Sequence, residues 1–346
     1  MPYVPPVMSR IARFLERLAR HADLASEVAH REEIPPRAAR FGAFPAKLRP
    51  ELRAGLAALG IERPWTHQAE AVRRALAGED VVVVTPTASG KTLCYNLPVL
   101  DGCLAEPETR ALYLFPIKAL EQDQLGVFRE LAAACGLDGR VTAEIYDGDT
   151  PAHRRAKIRT APPNVVISNP DMLHVGMLAF HPKWEAFFTN LRFVVLDEVH
   201  TYRGVFGSHV ANLLRRLLRV AEIYGSRPQI LACSATIANP GELAARLTGR
   251  EPAVVDASGA PEAGRSFLFL NPARRSPATL AIDRKAAFTG RRKGTKDRIS
   301  VFQNKIFSVL PAFAPSCSIS PSFPDHAARA FRSACRRCRC YAARDR

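Results

Sequence analysis

One segment of this 346-residue sequence has the residue types of a phosphate-binding loop. Residues 85–92 read TPTASGKT, directly after the apolar run Val81–Val84 and directly before a stretch with helical character. A glycine-containing turn at the N-terminus of a helix presents backbone N–H groups to phosphate oxygens. A turn that only caps a helix is the alternative. It is disfavoured because strand, loop and helix follow one another in the order that a phosphate loop requires.

Every member of this loop is predicted to contact a bound nucleotide: Thr85, Pro86, Thr87, Ala88, Ser89, Gly90, Lys91 and Thr92. The ammonium group of Lys91 would reach the terminal phosphates, and the hydroxyl of Thr92 would bind Mg²⁺. Thr85 departs from the general pattern, which has glycine at that place. About twenty residues earlier, Gln68 has an amide suited to an adenine edge, although an exposed helix glutamine is the commoner explanation.

A pair of acids closes a second apolar run. Residues 196–200 read LDEVH, and acids at the carboxyl end of a neighbouring parallel strand would face the same crevice as the phosphate loop. Asp197 would hold Mg²⁺ and Glu198 would act as the general base on the attacking water. An isolated Asp-Glu pair is more often a solvated turn, so this prediction depends on its pairing with the loop.

Small residues follow a third apolar run, at Ser234, Ala235 and Thr236. We expect their hydroxyl groups to relay the state of the nucleotide by hydrogen bonds toward His200. By itself this triplet carries almost no information. It gains meaning only as the third strand end beside the loop and the acids.

The elements that must position these residues follow an alternating pattern. Apolar runs at residues 81–84, 111–115, 141–146, 165–168, 193–196 and 230–233 alternate with helix-length segments such as 92–103, 117–135 and 205–224. Continuous apolar runs indicate strands that are covered on both faces. Strand followed by helix, repeated, predicts an α/β fold with a doubly wound parallel sheet and helices on both faces. Residues 1–63 read as a helical N-terminal extension and residues 64–260 as this α/β domain.

Charge and cysteine usage limit the possible functions. The net charge is +16, but residues 261–346 hold 18 Lys and Arg against 5 Asp and Glu, so the rest of the chain is nearly balanced. The basic character therefore gives no support for nucleic-acid binding by the α/β domain. Eight scattered cysteines do not make a disulfide framework. No apolar run approaches the roughly 20 residues of a membrane helix, and we expect a cytoplasmic protein without membrane contact.

Seven ordered segments resemble those of DEAD/DEAH-type superfamily-two helicases, and most of all the MrfA-like (YprA-like) branch of bacterial DNA repair helicases. They are TPTASGKT, LFPIKALEQDQ, YDGDTP, ISNPDMLH, LDEVH, TYRGVFGSHVANLLRRL and SATIANP, within about residues 42–272. The resemblance implies a RecA-like domain of the P-loop NTPase class that binds ATP and Mg²⁺ as one half of a helicase motor. It also implies DNA repair as the setting.

The same resemblance implies contacts with a nucleic-acid strand from Pro116, Lys118 and Gln122, and from Asn169, Pro170 and Asp171. Such contacts go to phosphates and sugars, so binding should be independent of base sequence. Ile117 stands where threonine is usual in this family and has no hydroxyl for a phosphate contact. The preference for DNA over RNA rests on the family likeness alone. Both single-stranded and duplex nucleic acid fit this expectation.

A helicase of this class also needs a second RecA-like domain that supplies an arginine finger. The 86 residues from 261 to 346 form a basic, irregular tail. Within it, TGRRKGTKDR is the nearest candidate for the motif that supplies this arginine, but no strand or helix pattern surrounds it. Among Cys317, Cys335, Cys338 and Cys340, the interval from Cys335 to Cys338 suits zinc, but Cys338 and Cys340 are too close for an ordinary tetrahedral site and a second pair is lacking. We expect a tail that is disordered or frameshifted, and therefore a truncated motor with nucleotide binding but little unwinding activity.

Two alternatives remain open at this level. A split subunit or regulator would bind ATP and single-stranded DNA and work only beside a second chain that supplies the missing domain. A double-strand DNA translocase shares the phosphate loop and the acids, and only the resemblance of ISNPDMLH and YDGDTP argues against it.

Overall fold

The computed structural model describes residues 10–20 and 28–271, and the expectations for the tail lie outside the described residues. The helices are α1 Arg10–Arg20, α2 Pro50–Ala58, α3 Thr66–Ala75, α4 Thr92–Ala105, α5 Lys118–Ala134, α6 Ala152–Thr160, α7 Pro170–Met172, α8 Glu185–Thr189, α9 Gly204–Ile223 and α10 Pro240–Thr248. The strands are β1 Val28–Ile34, β2 Val81–Val84, β3 Arg110–Leu114, β4 Ala143–Ile145, β5 Val165–Ser168, β6 Leu191–Leu196, β7 Gln229–Ser234, β8 Ala253–Val255 and β9 Arg265–Leu270.

Seven of these strands form one parallel sheet in the order β4-β5-β3-β6-β7-β2-β8. This confirms the predicted α/β class with a parallel, doubly wound sheet. The strand that precedes the phosphate loop is not adjacent to the strand that precedes Asp197, because β7 lies between β2 and β6. The expectation of neighbouring strands was therefore wrong by one strand. The end of β7 comes between the loop and the acids.

Burial explains why the strands lack polar alternation. All four valines of β2 are buried, and they alternate between two apolar cores: Val81 and Val83 face one core, whereas Val82 and Val84 face the other. The first core contains residues of α2 to α5, and the second contains residues of α9 and α10. A strand covered on both sides by helices must be apolar on both faces, as the sequence is.

Element bounds follow the predictions closely inside the sheet and less well before it. The helices predicted over 92–103, 117–135 and 205–224 are found at Thr92–Ala105, Lys118–Ala134 and Gly204–Ile223. The N-terminal extension is not purely helical, because Val28–Ile34 is a strand that pairs with β9 in a separate two-stranded sheet. Its partner lies more than two hundred residues later in the chain, where local pattern carries no information about it.

The chain divides into two compact units, of which the larger covers residues 30–269 and contains the seven-stranded sheet. The proposed domain boundaries at residues 63 and 260 stay predictions. In the described part, Cys94, Cys103, Cys135 and Cys233 are buried free thiols. Among the same residues, no helix has both the length and the apolar character needed to cross a membrane.

Candidate functional site

The loop after β2 has a conformation that its glycine makes possible. Gly90 has φ of +66° and Ala88 has φ of +60°, a left-handed conformation that residues with a Cβ rarely adopt. A Cβ on Gly90 would lie 2.7 Å from Nε2 of Gln68 and 3.0 Å from the Trp65 ring. Thr85 is fully buried, and its Oγ1 lies 2.6 Å from Oγ of Ser89. Thr85 therefore closes the base of the loop with a hydroxyl contact that glycine could not make.

Lys91 turns its ammonium group back into this loop. Its Nζ donates hydrogen bonds to the backbone oxygens of Thr85 at 3.0 Å and Pro86 at 3.1 Å. An ammonium group has three protons and binds oxygen acceptors as a compact point charge. The carbonyl groups thus hold Lys91 at the mouth of the loop, where phosphate oxygens would be stronger acceptors for the same protons.

The first turn of α3 clamps the loop from outside. Gln68 donates from Nε2 to the Gly90 oxygen at 3.0 Å and accepts the Trp65 N–H at 2.9 Å. His67 accepts the Gly259 N–H on Nδ1, so its Nε2 donates to the Ser89 oxygen at 2.9 Å. Burial lowers the pKa of His67, which keeps the ring neutral for this pattern. Two consecutive side chains therefore fix two consecutive carbonyl groups of the loop.

This clamp changes the interpretation of Gln68. The exposed-helix alternative is wrong, because Gln68 is only 4% exposed. Both ends of its amide are already hydrogen bonded inside the protein. Contact with an adenine ring stays a prediction.

The loop and the acids meet at the carboxyl edge of the sheet. The Tyr95 hydroxyl, one turn into the helix that begins at Thr92, lies 3.3 Å from Oδ2 of Asp197. Cys233 at the end of β7 places its Sγ 3.9 Å from the Lys91 oxygen. The helix that follows the loop and the acid at the end of β6, which are far apart in the chain, are thus in contact through one hydroxyl.

The surroundings of Asp197 disfavour the ionised form of its carboxyl group. Burial raises its pKa to about 6, opposed in part by the N–H of Glu198, which donates to Oδ1 at 2.8 Å. The negative charge of Glu198 raises the pKa further, and Lys91 lowers it. A buried carboxylate that lacks a full counter-charge gains most from a bound cation.

Glu198 has a strained backbone and an acceptor oxygen without a donor. Its φ of +50° is left-handed, which a non-glycine residue adopts at a cost of about 1 kcal/mol or more. Its Oε2 is buried and accepts no hydrogen bond, although Nδ1 of His200 lies 3.1 Å away. That nitrogen already accepts the Ala235 N–H at 3.2 Å, so in neutral His200 it has no proton to offer Glu198.

The predicted hydroxyl relay from residues 234–236 to His200 takes another form. The contact comes from the main chain of Ala235, whereas the hydroxyl of Ser234 donates to the Ala235 oxygen at 2.8 Å. Thr236 is exposed and its hydroxyl does not make this contact. The prediction that hydroxyl side chains reach His200 was therefore wrong, because β7 ends with a backbone N–H, not a side chain, facing the histidine.

The residues present fit a magnesium ion by their chemistry. Mg²⁺ takes hard oxygen ligands and keeps several waters, so one hydroxyl and one carboxylate suffice from the protein. Thr92, at the start of α4, and Asp197, in contact with Tyr95 of the same helix, would supply these two ligands. Among the residues that the structure describes, no group of three or more His, Cys, Asp or Glu side chains has the arrangement of a denser metal site.

A groove on the same side of the sheet collects the residues that the resemblance assigns to nucleic acid. Its volume is about 330 Å³. It is lined by Pro116, Lys118, Gly148, Asn169, Pro170, Asp171, Met172, Val175 and Phe206. A second hollow of about 360 Å³ shares Pro170, Asp171 and Phe206 and continues to Arg216. Gln122 lies outside both and lines an adjoining hollow with Lys118.

A family model for DEAD/DEAH box helicases matches residues 65–243, which is more than half of the chain. The chain belongs to the DEAD/DEAH box helicase family. The match begins at Trp65, beside the clamp of α3, and ends inside α10, so it contains the loop, the acids, the Ala235 contact and the groove. The predicted helicase family is thereby confirmed.

Relatives and solved structures agree with this assignment. The ATP-dependent helicase YprA of Bacillus subtilis is 50% identical over 240 residues, covering 69% of this chain and 32% of the relative. Crystal structures of the helicase MrfA bound to DNA, and to DNA and AMPPNP, superpose with TM-scores of 0.71 and 0.68. They are 44% and 46% identical over 81% and 76% of this chain, and over 39% and 37% of the MrfA chains. The chain spans about a third of the curated relative.

Within this DEAD/DEAH box domain, the Asn169 side chain makes hydrogen bonds inside the protein. Its Oδ1 caps α7 by accepting the Met172 N–H at 2.9 Å, and its Nδ2 donates to Glu121 at 3.0 Å. The side chain is 9% exposed. The contact of Asn169 with a strand stays a prediction. Lys118 is exposed at the groove and pairs with Asp149 at 2.9 Å.

Sequence reasoning missed several residues of this helicase domain. His67 and Tyr95 gave no signal, because a lone histidine and a lone tyrosine in amphipathic segments are ordinary core residues. Phe206 lies in the segment TYRGVFGSHV but is distinguished only by its exposure of 43% at the groove. The Tyr202 hydroxyl is buried without a hydrogen-bond partner, and burial together with the charges of Asp197 and Glu198 raises its pKa.

Proposed function

We propose that this chain is the ATP-binding domain of an ATP-dependent DNA helicase, which binds ATP with Mg²⁺ at residues 85–92 and tracks a DNA strand along the groove. The observation that carries the proposal is the contact of Asp197 with the Tyr95 hydroxyl, which lies on the first turn of the helix that begins at Thr92. It is the arrangement that a triphosphate and its magnesium ion require from loop and acids.

Each residue has a role in this proposal. Lys91 leaves the loop carbonyl groups for the β- and γ-phosphate oxygens, and Thr92 and Asp197 hold the ion. Bound magnesium neutralises charge on the phosphates during transfer. Glu198 takes a proton from the attacking water onto its unpartnered oxygen, and His200 reports on the site through Ala235.

The groove is proposed to hold the strand by its backbone and one apolar surface. Lys118 and the main chain around Pro170 contact the phosphates. Phe206, which is 43% exposed, and Val175, which is 56% exposed, offer an apolar surface to a sugar or base. Asp171 would repel a phosphate, so it suits a sugar hydroxyl or a base N–H. The DNA bound by MrfA supports DNA as the partner.

Full activity is proposed to need a second RecA-like domain that supplies an arginine to the same ATP. The described residues contain one sheet of this type. We therefore propose that this domain binds nucleotide and strand, and hydrolyses ATP slowly until a second domain, in its own polypeptide or in a partner, closes on it. Its place is proposed to be the cytoplasm.

The deciding experiment is nucleotide binding by the Lys91→Ala variant, measured by titration with a fluorescent ATP analogue and Mg²⁺. Loss of a charge-assisted contact of about 1.5–3 kcal/mol weakens binding roughly 10- to 150-fold. Lys47→Ala, an exposed lysine outside the loop, is the matched control. Equal affinity in wild type and Lys91→Ala would reject the assigned loop.

A further inference from the structure

Tyr95 joins two sites that the proposed mechanism treats separately. Its hydroxyl lies 3.1 Å from Oε1 of Gln124 on α5 and 3.3 Å from Oδ2 of Asp197. Gln124 is half-buried, two residues after Gln122 on the helix that begins with Lys118. One buried hydroxyl therefore lies between the helix at the groove and the carboxylate at the nucleotide site.

The hydroxyl has a single proton for these two acceptors. Burial raises the pKa of Tyr95 well above its ordinary value, so the phenol keeps its proton. A carboxylate oxygen and an amide oxygen both accept, and one O–H gives a well-aligned hydrogen bond to only one of them. When the proton points to Gln124, Asp197 keeps its full charge density on Oδ2. When the proton points to Asp197, Oδ2 accepts a hydrogen bond from the tyrosine and has less negative charge available for a cation.

The amide of Gln124 makes this a choice between two discrete arrangements. With its oxygen toward Tyr95, the amide accepts a hydrogen bond from the hydroxyl. After a half-turn, its N–H group donates to the hydroxyl oxygen, and the hydroxyl then donates to Asp197. Anything that fixes the position of α5 therefore biases the charge available on Asp197. Lys118 and Gln122, at the start of this helix, line the hollows where the strand is proposed to bind.

We propose that Tyr95 and Gln124 are positioning residues that couple strand binding to the binding of magnesium and nucleotide. The inference rests on the proposed function, in which Asp197 holds the ion and the first turns of α5 contact DNA. A strand that holds α5 against the sheet keeps the Gln124 oxygen on Tyr95 and frees Asp197 for the ion. Because coupling is reciprocal, bound nucleotide tightens strand binding by the same factor.

The chain offers a matched control for the loss of this hydroxyl. Tyr113 packs against Tyr95 edge to face, with ring centroids 5.5 Å apart, and is equally buried. Its hydroxyl donates to Oδ1 of Asn96 at 2.9 Å and does not contact Asp197. Tyr113→Phe and Tyr95→Phe therefore each remove one buried hydroxyl from the same ring pair, and only Tyr95→Phe removes the link.

The test measures the coupling factor in the full chain. A fluorescent single-stranded oligonucleotide is titrated with and without Mg²⁺ and a non-hydrolysable ATP analogue, and the ratio of the two dissociation constants is the factor. We expect roughly 5-fold or more in wild type and in Tyr113→Phe, and a factor near one in Tyr95→Phe and in Gln124→Leu. The double variant Tyr95→Phe with Gln124→Leu should lose no more than either single variant, because both act through one hydroxyl.

The outcomes separate the inference from the proposed function. If wild type binds neither analogue nor oligonucleotide, the proposed function fails. If it binds both, a wild-type factor of one, a full factor in Tyr95→Phe, or an equal loss in Tyr113→Phe would overturn the coupling role alone. A second measurement, the Mg²⁺ concentration for half-maximal analogue binding, should respond to the oligonucleotide in wild type and not in Tyr95→Phe.

Discussion

The backbone N–H of Ala235 donates to Nδ1 of His200 over 3.2 Å, and this contact decides what Glu198 can do. With Nδ1 engaged as an acceptor, neutral His200 gives no proton to the Glu198 oxygen that lies 3.1 Å from it. That oxygen stays buried without a donor. An unpartnered carboxylate oxygen is costly to maintain and well suited to receive a proton from water.

Replacing Glu198 by Gln should stop hydrolysis and spare nucleotide binding. Glutamine keeps the shape and the left-handed backbone but lacks a basic oxygen, so we expect roughly 10²- to 10⁴-fold slower phosphate release. Phosphate release is measured with and without single-stranded DNA, beside the affinity for an ATP analogue. Glu130→Gln, on the exposed side of α5, is the control. Hydrolysis at the wild-type rate would remove Glu198 from the mechanism.

Gly90→Ala should disable the loop by contact as well as by conformation. The added Cβ would lie 2.7 Å from Nε2 of Gln68, in addition to the cost of a φ of +66°. Gly249→Ala has the same type of cost, at φ of +74°, but meets nothing within 4 Å. We expect a loss of thermal stability in both variants, and a larger one in Gly90→Ala because of the added contact. Titration with an ATP analogue should show weakened binding only in Gly90→Ala, and equal binding in the two would contradict the clamp.

Asp197→Asn should stabilise the fold while it removes the magnesium ligand. The folded pKa of Asp197 is raised to about 6 from an ordinary 3.8 by burial. A raised folded pKa gives stability that is fully present below about pH 4 and is lost as pH rises through about 6. The neutral amide keeps that stability. We expect the free energy of unfolding of the variant to be roughly 1 to 3 kcal/mol higher than that of wild type near pH 7.5.

The stability measurement for Asp197→Asn is urea unfolding at a series of pH values. The advantage of the variant over wild type should grow between about pH 4 and pH 7, and fade at the acidic end where both side chains are neutral. Mg²⁺-dependent binding of an ATP analogue should be lost in the same variant. A stability difference that does not change with pH would show that the raised pKa of Asp197 is not its cause.

Phe206→Ala should weaken binding of single-stranded DNA without affecting nucleotide. Contact between an aromatic ring and a base contributes about 1–3 kcal/mol, so we expect roughly 5- to 150-fold weaker oligonucleotide binding by fluorescence anisotropy. Val205→Ala changes the preceding residue, which is 77% exposed and does not line the groove. Equal affinity in Phe206→Ala and Val205→Ala would exclude Phe206 from the strand path.

Local pattern was sufficient for most elements of the sheet domain. The run of four valines at β2 and the apolar run at β5 have the predicted bounds, because strands buried on both faces leave an unmistakable signature. It failed at Val28–Ile34, whose polar residues lack such a signature and whose partner β9 is remote. It also failed for the order of strands, since periodicity states which residues are buried and not which strand lies beside which.

For the site, the sequence by itself determined which groups could do the chemistry. Apolar runs precede both the loop that ends in Lys91 and Thr92 and the acids at residues 197 and 198. The carboxyl ends of parallel strands share one edge of the sheet, so the two segments must lie at that edge. Only the tertiary structure decided how these groups are held. The clamp of His67 and Gln68, the Ala235 contact and the Tyr95 hydroxyl between Asp197 and Gln124 join residues distant in the chain. Hydrogen bonds depend on differences of a few tenths of an ångström in the donor–acceptor distance, which packing fixes and residue spacing does not encode.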